Sequence, residues 1–490
     1  MSEKISCKTR FAPSPTGFMH IGNLRTALYA YIIAKKNNGS FILRIEDTDQ
    51  TRYVDGAVDV IHNTLRQCGL NWDEEYVQSE RMGIYGEHAQ KLIESGEAYY
   101  CFCTKERISE LHASQQEKGI APTYDRCCRD MPQSEADSRL NHKEPFVIRQ
   151  KMPLDGETTF RDELFGDVTI PNSELEDQIL IKSDGMPTYN FANVIDDHLM
   201  GITHIIRGNE YLSSTPKYNL LYQAFGWETP FYIHVNHIMR DANKKLSKRE
   251  GDANFGDFTK AGYYIPAILN YIALLGWAPK GENEIYTLDE LVGEFEISGL
   301  SKSPSIFDPV KMKAINAKWL QGLSKDEFKT LAMPYIKQAC KREEIDYDIL
   351  LRTLQPRVEL LTDIPEKVDF IDAPHEYGDD LYFNKKMKTT PETAKEALRA
   401  VLPALESISE SEWNEERLHA ALMSVVEQLG VKNGVVLFPL RIALSGKALT
   451  PGGGSELAAI LGRKETLNRL TAVQHIQHAP CARTNQMPLL

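Results

Sequence analysis

The sequence predicts an α/β protein that opens on a parallel sheet, carries an inserted region and continues into a mostly helical C-terminal half. Near the N-terminus, strand-like and helix-like segments alternate, which is typical of a parallel sheet. A cysteine-containing stretch, residues 99–181, interrupts this alternation. From about residue 256 onward, apolar residues recur mainly at helical spacing. A chain of 490 residues is expected to form about three to five domains.

The first elements follow from local patterns. Residues 5–11 predict a strand, and the two prolines and the glycine in residues 12–17 exclude regular structure after it. Residues 24–36 predict a helix that ends at Asn37-Asn38-Gly39. Residues 41–45 predict the next strand, and residues 202–206 and 231–235 are strand-like segments that could complete the sheet.

The later elements are predicted by capping signals and by one loop-rich stretch. Residues 99–181 contain four of the cysteines and several turn signals, and they predict an insertion with its own small fold. Ser324 to Glu327 has the spacing of a capping box. Thr390 followed by Pro391 indicates another helix start, and an apolar stripe that ends at Gly430 predicts a third helix.

Composition narrows the class of protein. The net charge of -13 lowers the expectation of a nucleic-acid partner but does not exclude one, because a basic face can exist on an acidic protein. No apolar run of about 18 residues predicts a membrane span, and residues 1–8 do not resemble a signal peptide. Eight cysteines in this length do not make a disulfide scaffold. A cytoplasmic enzyme is expected.

Two separated segments indicate a nucleotide phosphate. His20 and Gly22 stand where the first strand turns into the first helix, and a helix N-terminus binds phosphate readily. Lys245 and Lys248 belong to a charged segment, residues 244–249, that suits a polyphosphate. Each segment alone also fits a plain turn or a solvated charged loop. Together they predict a phosphate held from two sides.

Longer motifs contain these segments. They read Arg-Phe-Ala-Pro-Ser-Pro-Thr-Gly-x-x-His-x-Gly (residues 10–22), Arg-Ile-Glu-Asp-Thr-Asp (44–49), Pro-Thr-Tyr-Asn-Phe-Ala-Asn-Val-Ile-Asp-Asp (187–197), Ile-Arg-Gly-Asn-Glu (206–210) and Lys-Leu-Ser-Lys-Arg (245–249). Over nearly its whole length the chain resembles the bacterial-type glutamyl-tRNA synthetases, which are class I aminoacyl-tRNA synthetases. Asn23 and Arg249 depart from the generic class I signatures, but both variants look usual for the glutamyl branch.

The resemblance implies a fold and a division of the chain. It implies a Rossmann-type class I catalytic domain with an inserted acceptor-binding α+β subdomain, followed by an all-α anticodon-binding region. The expected boundaries are 1–98 and 189–255 for the two catalytic halves, 99–188 for the insertion, 256–322 for a stem-contact region, and 323–385 and 386–490 for two helical anticodon-binding subdomains.

The resemblance also implies a reaction. ATP, accompanied by Mg²⁺, and L-glutamate would form glutamyl-adenylate, and the glutamyl group would pass to the 3′ end of tRNA(Glu). Whether tRNA(Gln) is also charged stays open. The implied catalytic residues are His20, Lys245 and Lys248, and the implied ATP contacts are His20, Gly22, Glu210 and Lys248. The implied glutamate pocket consists of Arg10, Ala12, Ser14, Glu46, Tyr189, Asn193 and Arg207.

This pocket suits glutamate chemically. Arg10 and Arg207 can each bind a carboxylate through a bidentate fork, and Glu46 is a natural partner for the ammonium group. The neutral amide of glutamine would leave a guanidinium poorly paired, so the site should reject it. The alternative is that the two arginines form internal ion pairs with Glu46 or Asp47.

The clustered cysteines suit zinc. By resemblance to the zinc-binding members of the family, the four ligands would be Cys101, Cys103, Tyr124 and Cys128. Cys127 competes for a ligand position, and Asp130 stands where some members carry histidine. The alternative is a set of free thiols without metal.

The expected partners are tRNA, ATP and L-glutamate, with no membrane, and the family implies a monomer. Arg357 matches a position near the first anticodon base, although a plain helix-surface arginine is the alternative. Three rivals for the function are a glutaminyl-tRNA synthetase, an enzyme that glutamylates queuosine in tRNA, and a non-catalytic tRNA-binding paralogue. Arg207 and the helical C-terminal half disfavour the first, the chain length the second, and the intact His20, Lys245 and Lys248 the third.

Overall fold

The computed structural model describes residues 6–49, 52–244, 246 and 254–476. Lys245 and Lys248, predicted to contact phosphate, lie outside the described residues. The chain divides into two compact units. The first consists of Met1–Lys260 and Ile265–Pro309, and the second of Ala261–Tyr264 and Val310–Leu490.

The first unit contains both strands and helices. Its described strands are β1 (Lys8–Phe11), β2 (Ser40–Ile45), β3 (Glu74–Val77), β4 (Ala98–Cys101), β5 (Val147–Gln150), β6 (Glu157–Asp162), β7 (Gly166–Pro171), β8 (Ile179–Ile181), β9 (His204–Gly208), β10 (Phe231–Val235), β11 (Ile238–Met239) and β12 (Ser305–Ile306). Its described helices are α1 (Ile21–Lys36), α2 (Ala57–Gln67), α3 (Met82–Glu94), α4 (Lys105–Glu117), α5 (Gln133–Asn141), α6 (Tyr189–Leu199), α7 (Thr215–Phe225), α8 (Phe255–Lys260), α9 (Ile265–Leu274) and α10 (Leu288–Glu294).

A seven-stranded sheet forms the centre of this unit, in the order β3-β2-β1-β9-β10-β6-β7. The pairs from β3 to β6 are parallel, and only the β6–β7 hairpin is antiparallel. The predicted parallel α/β sheet is confirmed, and the strand-like segments near residues 202–206 and 231–235 correspond to β9 and β10. β1 lies between β2 and β9, so the chain changes direction across the sheet at this strand.

The insertion contributes to two sheets. β4, β5 and β8 form a separate antiparallel sheet, as a small independent fold would. β6 and β7, however, extend the main sheet, because Asp162 of β6 pairs with Tyr232 of β10. The expected insertion with its own small fold is therefore seen in β4, β5 and β8, whereas the β6–β7 hairpin belongs to the main sheet. No local pattern could show it, since the pairing joins residues about 70 positions apart.

The N-terminus of α1 carries its own cap. His20 has extended backbone angles, and its Nδ1 accepts a hydrogen bond from the Gly22 N–H at 2.9 Å. The predicted helix end is also confirmed. Asn37 caps α1, and a Cβ on Gly39 would clash with the carbonyl oxygen of Cys7, so only glycine fits there.

The second unit is helical within its described part. Its helices are α11 (Pro309–Gly322, whose first residue belongs to the first unit), α12 (Lys325–Ala339), α13 (Tyr347–Leu354), α14 (Ile364–Val368), α15 (Pro391–Glu406), α16 (Glu415–Leu429), α17 (Asn433–Ser445) and α18 (Gly454–Ile476, interrupted at Gly462). They share one apolar core, which includes Phe328, Leu398 and Leu422.

The predicted helix boundaries of this unit are confirmed. The Ser324–Glu327 capping box begins α12, Thr390 caps α15 with Pro391 at its first position, and Gly430 ends α16 with a φ of 62°. None of the described helices of the chain has the length and apolar character needed to cross a membrane.

Candidate active site

A cavity of about 470 Å³ opens beside β1, where the order in which the chain adds strands to the main sheet reverses. It lies at the carboxyl ends of β1, β2 and β9, which is where open parallel sheets bind ligands. Most of the residues predicted to contact glutamate line it, together with one predicted ATP contact. These are Arg10, Ala12, Ser14, Glu46, Tyr189, Arg207 and Glu210.

A buried charge cluster supports the cavity. Arg10 donates from Nε to Oδ1 of Asp197 at 3.0 Å, and Arg44 donates from Nη1 to the same oxygen at 2.6 Å. Arg44 also donates from Nη2 to Oε1 of Glu46 at 2.9 Å. The predicted alternative, in which Arg10 pairs with Glu46 or Asp47, is not what the structure shows. Arg10 does form an internal ion pair, but its partner is Asp197.

Burial and the neighbouring arginines shift the pKa values of Asp197 and Glu46 in opposite directions. Burial alone would raise the pKa of Asp197, but Arg10 and Arg44 outweigh it and hold the pKa below its usual range. At Glu46, burial dominates and raises the pKa in spite of Arg44 and Arg10. Oε2 of Glu46 accepts no hydrogen bond from a described residue, so this oxygen remains able to take a donor from a ligand.

Arg207 differs from Arg10 and Arg44 in its partners. It is buried, and it forms no ion pair with any carboxylate among the described residues. It donates from Nε to Nε2 of His234 at 2.9 Å and from Nη2 to Oγ1 of Thr215 at 2.8 Å. The rings of three tyrosines surround its guanidinium at 4.7–5.3 Å, and they are Tyr211, Tyr218 and Tyr232. All of these partners are uncharged.

Asp162 binds His234 on the side opposite Arg207. Its Nδ1 lies 2.7 Å from Oδ2 of Asp162, and its backbone N–H donates to the same oxygen at 3.0 Å. Burial lowers the pKa of His234 to about 4, so the ring is neutral at pH 7. The proton then lies on Nδ1, and Nε2 accepts from Arg207. Neither His234 nor Asp162 belongs to one of the motifs, so the sequence did not indicate that Asp162 binds His234 or that His234 binds Arg207.

Other predicted residues lie near the cavity without lining it. Nδ1 of His20 accepts a hydrogen bond from the Gly22 N–H, so this nitrogen carries no proton. Asn193 is buried, and its Nδ2 has no hydrogen-bond partner among the described residues. His20, Gly22 and Asn193 are not among the residues that line the cavity.

Sequence reasoning missed part of this site. Arg44 and Asp197 both belong to quoted motifs, but no pattern indicated that they share one ion-pair cluster. Thr48 and Arg52 line the cavity although they were assigned no role. Their position in the segment that follows β2 is the available signal, since residues at the carboxyl ends of parallel strands meet at one edge.

The predicted zinc ligands do come together. The sulfur atoms of Cys101, Cys103 and Cys128 all lie within 4.8 Å of one another. The hydroxyl of Tyr124 lies 3.2 Å from the Cys101 sulfur and 3.6 Å from the Cys103 sulfur. In a tetrahedral site with Zn–S bonds of about 2.3 Å, ligand sulfurs lie about 3.8 Å apart. The Cys103 and Cys128 sulfurs, at 3.6 Å, fit this geometry.

The two competing residues lie outside the cluster. Cys127 is exposed and is not part of the three-sulfur group. The Asp130 side chain is 87% exposed and lies 3.7 Å from the Lys151 ammonium group. Donation from the Cys128 thiol, opposed by burial, lowers the pKa of Cys101, whereas burial raises the pKa of Cys103 and the bond to Cys101 raises that of Cys128, so Cys101 is the thiol of the three that ionises most readily.

Arg357 is exposed in a short 3-10 turn of the second unit, where its Nη1 donates to the carbonyl oxygen of Thr353 at 2.9 Å. Burial lowers the pKa of Arg441, Glu456 opposes this decrease, and the charge of Arg357 adds a smaller one. Nε of Arg441 is buried and has no hydrogen-bond partner among the described residues.

Comparisons with known proteins agree with the two units. Residues 6–314 match the catalytic-domain model of the class I tRNA synthetases (E and Q), and residues 326–474 match an anticodon binding domain. The chain is 54% identical over 474 residues to a glutamate–tRNA ligase from Clostridium tetani, with 94% of this chain and 96% of the relative covered. It is 53% identical over 479 residues to one from Clostridium botulinum, with 96% and 98% covered.

A solved structure is also similar. The glutamate tRNA ligase of Elizabethkingia meningosepticum, in complex with its amino acid, matches with a TM-score of 0.88 and 33% identity, and the match covers 96% of this chain and 99% of that one. The glutamate–tRNA synthetase of Elizabethkingia anophelis matches with a TM-score of 0.85 at the same identity, covering 96% of this chain and 100% of that one.

Proposed function

The chain belongs to the glutamate–tRNA ligases, a family of class I aminoacyl-tRNA synthetases, and on this basis we propose how its site acts. L-Glutamate reacts with ATP to give glutamyl-adenylate and pyrophosphate, and the glutamyl group then passes to the 3′-terminal adenosine of tRNA(Glu). The rival function as a queuosine-glutamylating enzyme is disfavoured, because the relatives match both units of this chain.

One observation carries the preference for glutamate. Arg10 and Arg44 form ion pairs with the carboxylates of Glu46, Asp196 and Asp197, whereas Arg207 forms none with a described residue. Arg207 has no acidic partner among the described residues, so one buried positive charge is left for the ligand. A glutamate side chain supplies the missing negative charge, whereas a glutamine side chain does not.

The remaining groups complete the amino-acid pocket. Nη1 of Arg207 makes no hydrogen bond to a described residue and is offered to the γ-carboxylate of glutamate. Oε2 of Glu46 accepts from the substrate ammonium group, while Arg10 faces a carboxylate. Ala12, Ser14, Tyr189 and Asn193 line or support the same pocket. These roles follow from the motif matches and from the donors and acceptors that the described residues leave unused.

The nucleotide lies against the start of α1. The N-terminus of α1 offers backbone N–H groups to a phosphoryl oxygen, and His20 caps this N-terminus. Gly22 and Glu210 contact the ATP, which binds with its Mg²⁺. Lys245 and Lys248 stabilise the triphosphate as the α-carboxylate of glutamate attacks the α-phosphate in line. The protein contributes mainly positioning and charge stabilisation.

The cysteine cluster holds a structural zinc ion. Cys101, Cys103 and Cys128 supply thiolates and Tyr124 supplies the fourth ligand, since the sulfur spacing and the nearby hydroxyl fit a closed tetrahedral site. The ion would contribute to the stability of the insertion. Cys127 and Asp130 take no part.

The rest of the organisation follows the family. The boundaries 1–98, 99–188, 189–255, 256–322, 323–385 and 386–490 divide the chain into catalytic, acceptor-binding, stem-contact and anticodon-binding parts. Arg357 contacts an anticodon base. The enzyme is a cytoplasmic monomer.

Aminoacylation of purified tRNA tests this function. The wild-type protein is expected to attach labelled glutamate to tRNA(Glu) in the presence of ATP. The Arg207→Gln variant should lose most of this activity, while Arg161→Gln, an exposed arginine 3.5 Å from Asp167, should keep it. A parallel reaction with tRNA(Gln) decides whether that acceptor is also used. Absence of glutamate attachment to either tRNA by the wild-type protein would overturn the proposal.

A further inference from the structure

The orientation of Arg207 depends on residues that the motifs did not indicate. Its guanidinium is buried and lines the cavity, yet a side chain with this many rotatable bonds can adopt several positions. Two hydrogen bonds restrict it, from Nε to His234 and from Nη2 to Thr215, at 2.9 and 2.8 Å. Because Nε and Nη2 lie along one edge of the planar guanidinium, the two bonds hold that edge and thereby also determine where Nη1 points.

Both acceptors are themselves fixed. Asp162 accepts from the ring Nδ1–H and from the backbone N–H of His234, so the imidazole can neither flip nor change tautomer without losing a buried bond. Thr215 donates its hydroxyl proton to the carbonyl oxygen of Tyr211 at 2.8 Å, so its oxygen is left to accept from Arg207. Asp162, His234 and Thr215 are each fully buried.

The groups that accept hydrogen bonds from Arg207 are uncharged, unlike the carboxylates that bind Arg10 and Arg44. Arg10 and Arg44 are oriented by carboxylates, which also cancel their charge. A carboxylate in the place of His234 would orient Arg207 equally well, but it would remove the attraction for an anionic ligand. The neutral imidazole orients the guanidinium and leaves its charge intact, and the low pKa of His234 agrees with a ring that stays neutral.

We propose that His234, fixed by Asp162, and Thr215 are positioning residues that orient Arg207 without neutralising it, and that they thereby set the preference for an acidic over an amide substrate side chain. This inference rests on the proposed function, because it assumes that glutamate occupies the cavity. It adds three residues, on β6, β10 and α7, that determine specificity through another residue and do not touch the substrate.

Two substitutions at His234 test the acceptor for Arg207 separately from the contact with Asp162. His234→Asn keeps an amide near the position of Nδ1, within reach of Asp162, but has no atom at the position of Nε2. His234→Gln places an amide oxygen near Nε2 and restores a neutral acceptor for Arg207. Thr215→Val removes the second acceptor at almost constant volume. His204→Asn, on the neighbouring strand β9 and bonded to Thr203, is the matched control.

The readouts are KM for glutamate, KM for ATP and the ratio of kcat/KM for glutamate to that for glutamine in tRNA charging. For His234→Asn and Thr215→Val, KM for glutamate should rise by about tenfold or more, the scale of one lost hydrogen bond to a charged group, and the ratio should fall accordingly. KM for ATP should change less than about threefold. His234→Gln should recover most of the loss, and His204→Asn should behave as wild type.

The outcomes separate this inference from the function on which it rests. If the wild type charges glutamate but His234→Asn and Thr215→Val keep its KM and specificity ratio, the positioning role is wrong and the function stands. Equal increases in the KM values for glutamate and ATP, or no recovery in His234→Gln, would show a merely structural role. If His234→Asn does not fold, Thr215→Val decides alone. A wild type that does not charge glutamate would overturn both.

Discussion

Oδ1 of Asp197 accepts a hydrogen bond from Nε of Arg10 at 3.0 Å, and both side chains are buried beneath the cavity. The same oxygen accepts from Arg44. One carboxylate on α6 therefore fixes two guanidinium groups from β1 and β2. This arrangement joins three elements of the first unit at the floor of the site.

Asp197→Asn should destabilise the first unit strongly. Removal of one partner from a buried ion pair leaves uncompensated charge and typically costs about 3–5 kcal/mol. We expect the free energy of unfolding, measured by urea denaturation followed by circular dichroism, to fall by about 3 kcal/mol. Asp167→Asn, whose carboxylate is 68% exposed, is the control and should change it by less than about 0.5 kcal/mol. Equal effects of the two substitutions would contradict the ion-pair account.

His234 should stay neutral at a pH at which an exposed histidine is charged. Its pKa is lowered to about 4 in the folded protein from an ordinary value of about 6.5. As the pH falls below about 6.5, the unfolded chain takes up a proton that the folded protein does not. The stability that neutral His234 provides is therefore complete above about pH 6.5 and is lost as the pH falls towards 4.

Nitrogen NMR of histidine-labelled protein measures this directly. The His234 signals, assigned by their loss in His234→Gln, should show a proton on Nδ1 and none on Nε2, and should not titrate between pH 8 and 5. A half-titrated ring near pH 6.5, or a proton on Nε2, would contradict the Asp162–His234–Arg207 arrangement.

Zinc should be found at about one ion per chain by metal analysis of the purified protein. Cys103→Ser should lower this amount strongly, because it removes one of three clustered sulfurs. Cys127→Ser should leave it unchanged, since this thiol lies outside the cluster. Protein with all thiols reduced and no bound zinc would show that the cluster consists of free cysteines.

Lys248→Ala should slow formation of the adenylate. Loss of one contact that strengthens in the transition state lowers a rate by about tenfold or more. The single-turnover rate at saturating ATP and glutamate, with tRNA present, is the measurement. Lys260→Ala, an exposed lysine at the end of α8, should keep the wild-type rate. An unchanged rate in Lys248→Ala would remove this residue from the mechanism.

The fold could be predicted largely because its signals are local. The prolines and the glycine after β1, the asparagines after α1 and the capping residues Ser324 and Thr390 all act within a few positions of the elements that they begin or end. The β6–β7 hairpin escaped prediction for the opposite reason. Its place beside β10 depends on tertiary pairing between Asp162 and Tyr232, which no local pattern encodes.

The same distinction applies to the site. Arg10, Glu46 and Arg207 could be predicted as cavity residues, because each lies in a long motif at the end of a strand. Their partners could not. Whether an arginine pairs with an acid or with a neutral histidine depends on side chains brought together from distant segments, as Arg207 and His234 are from neighbouring strands of the sheet.

The central claim is that the cavity selects glutamate through an uncompensated arginine. ATP–pyrophosphate exchange, measured with glutamate or glutamine and with or without tRNA(Glu), tests it most directly. The account predicts exchange with glutamate only, and only when tRNA is present. Exchange with glutamine but not with glutamate would contradict it.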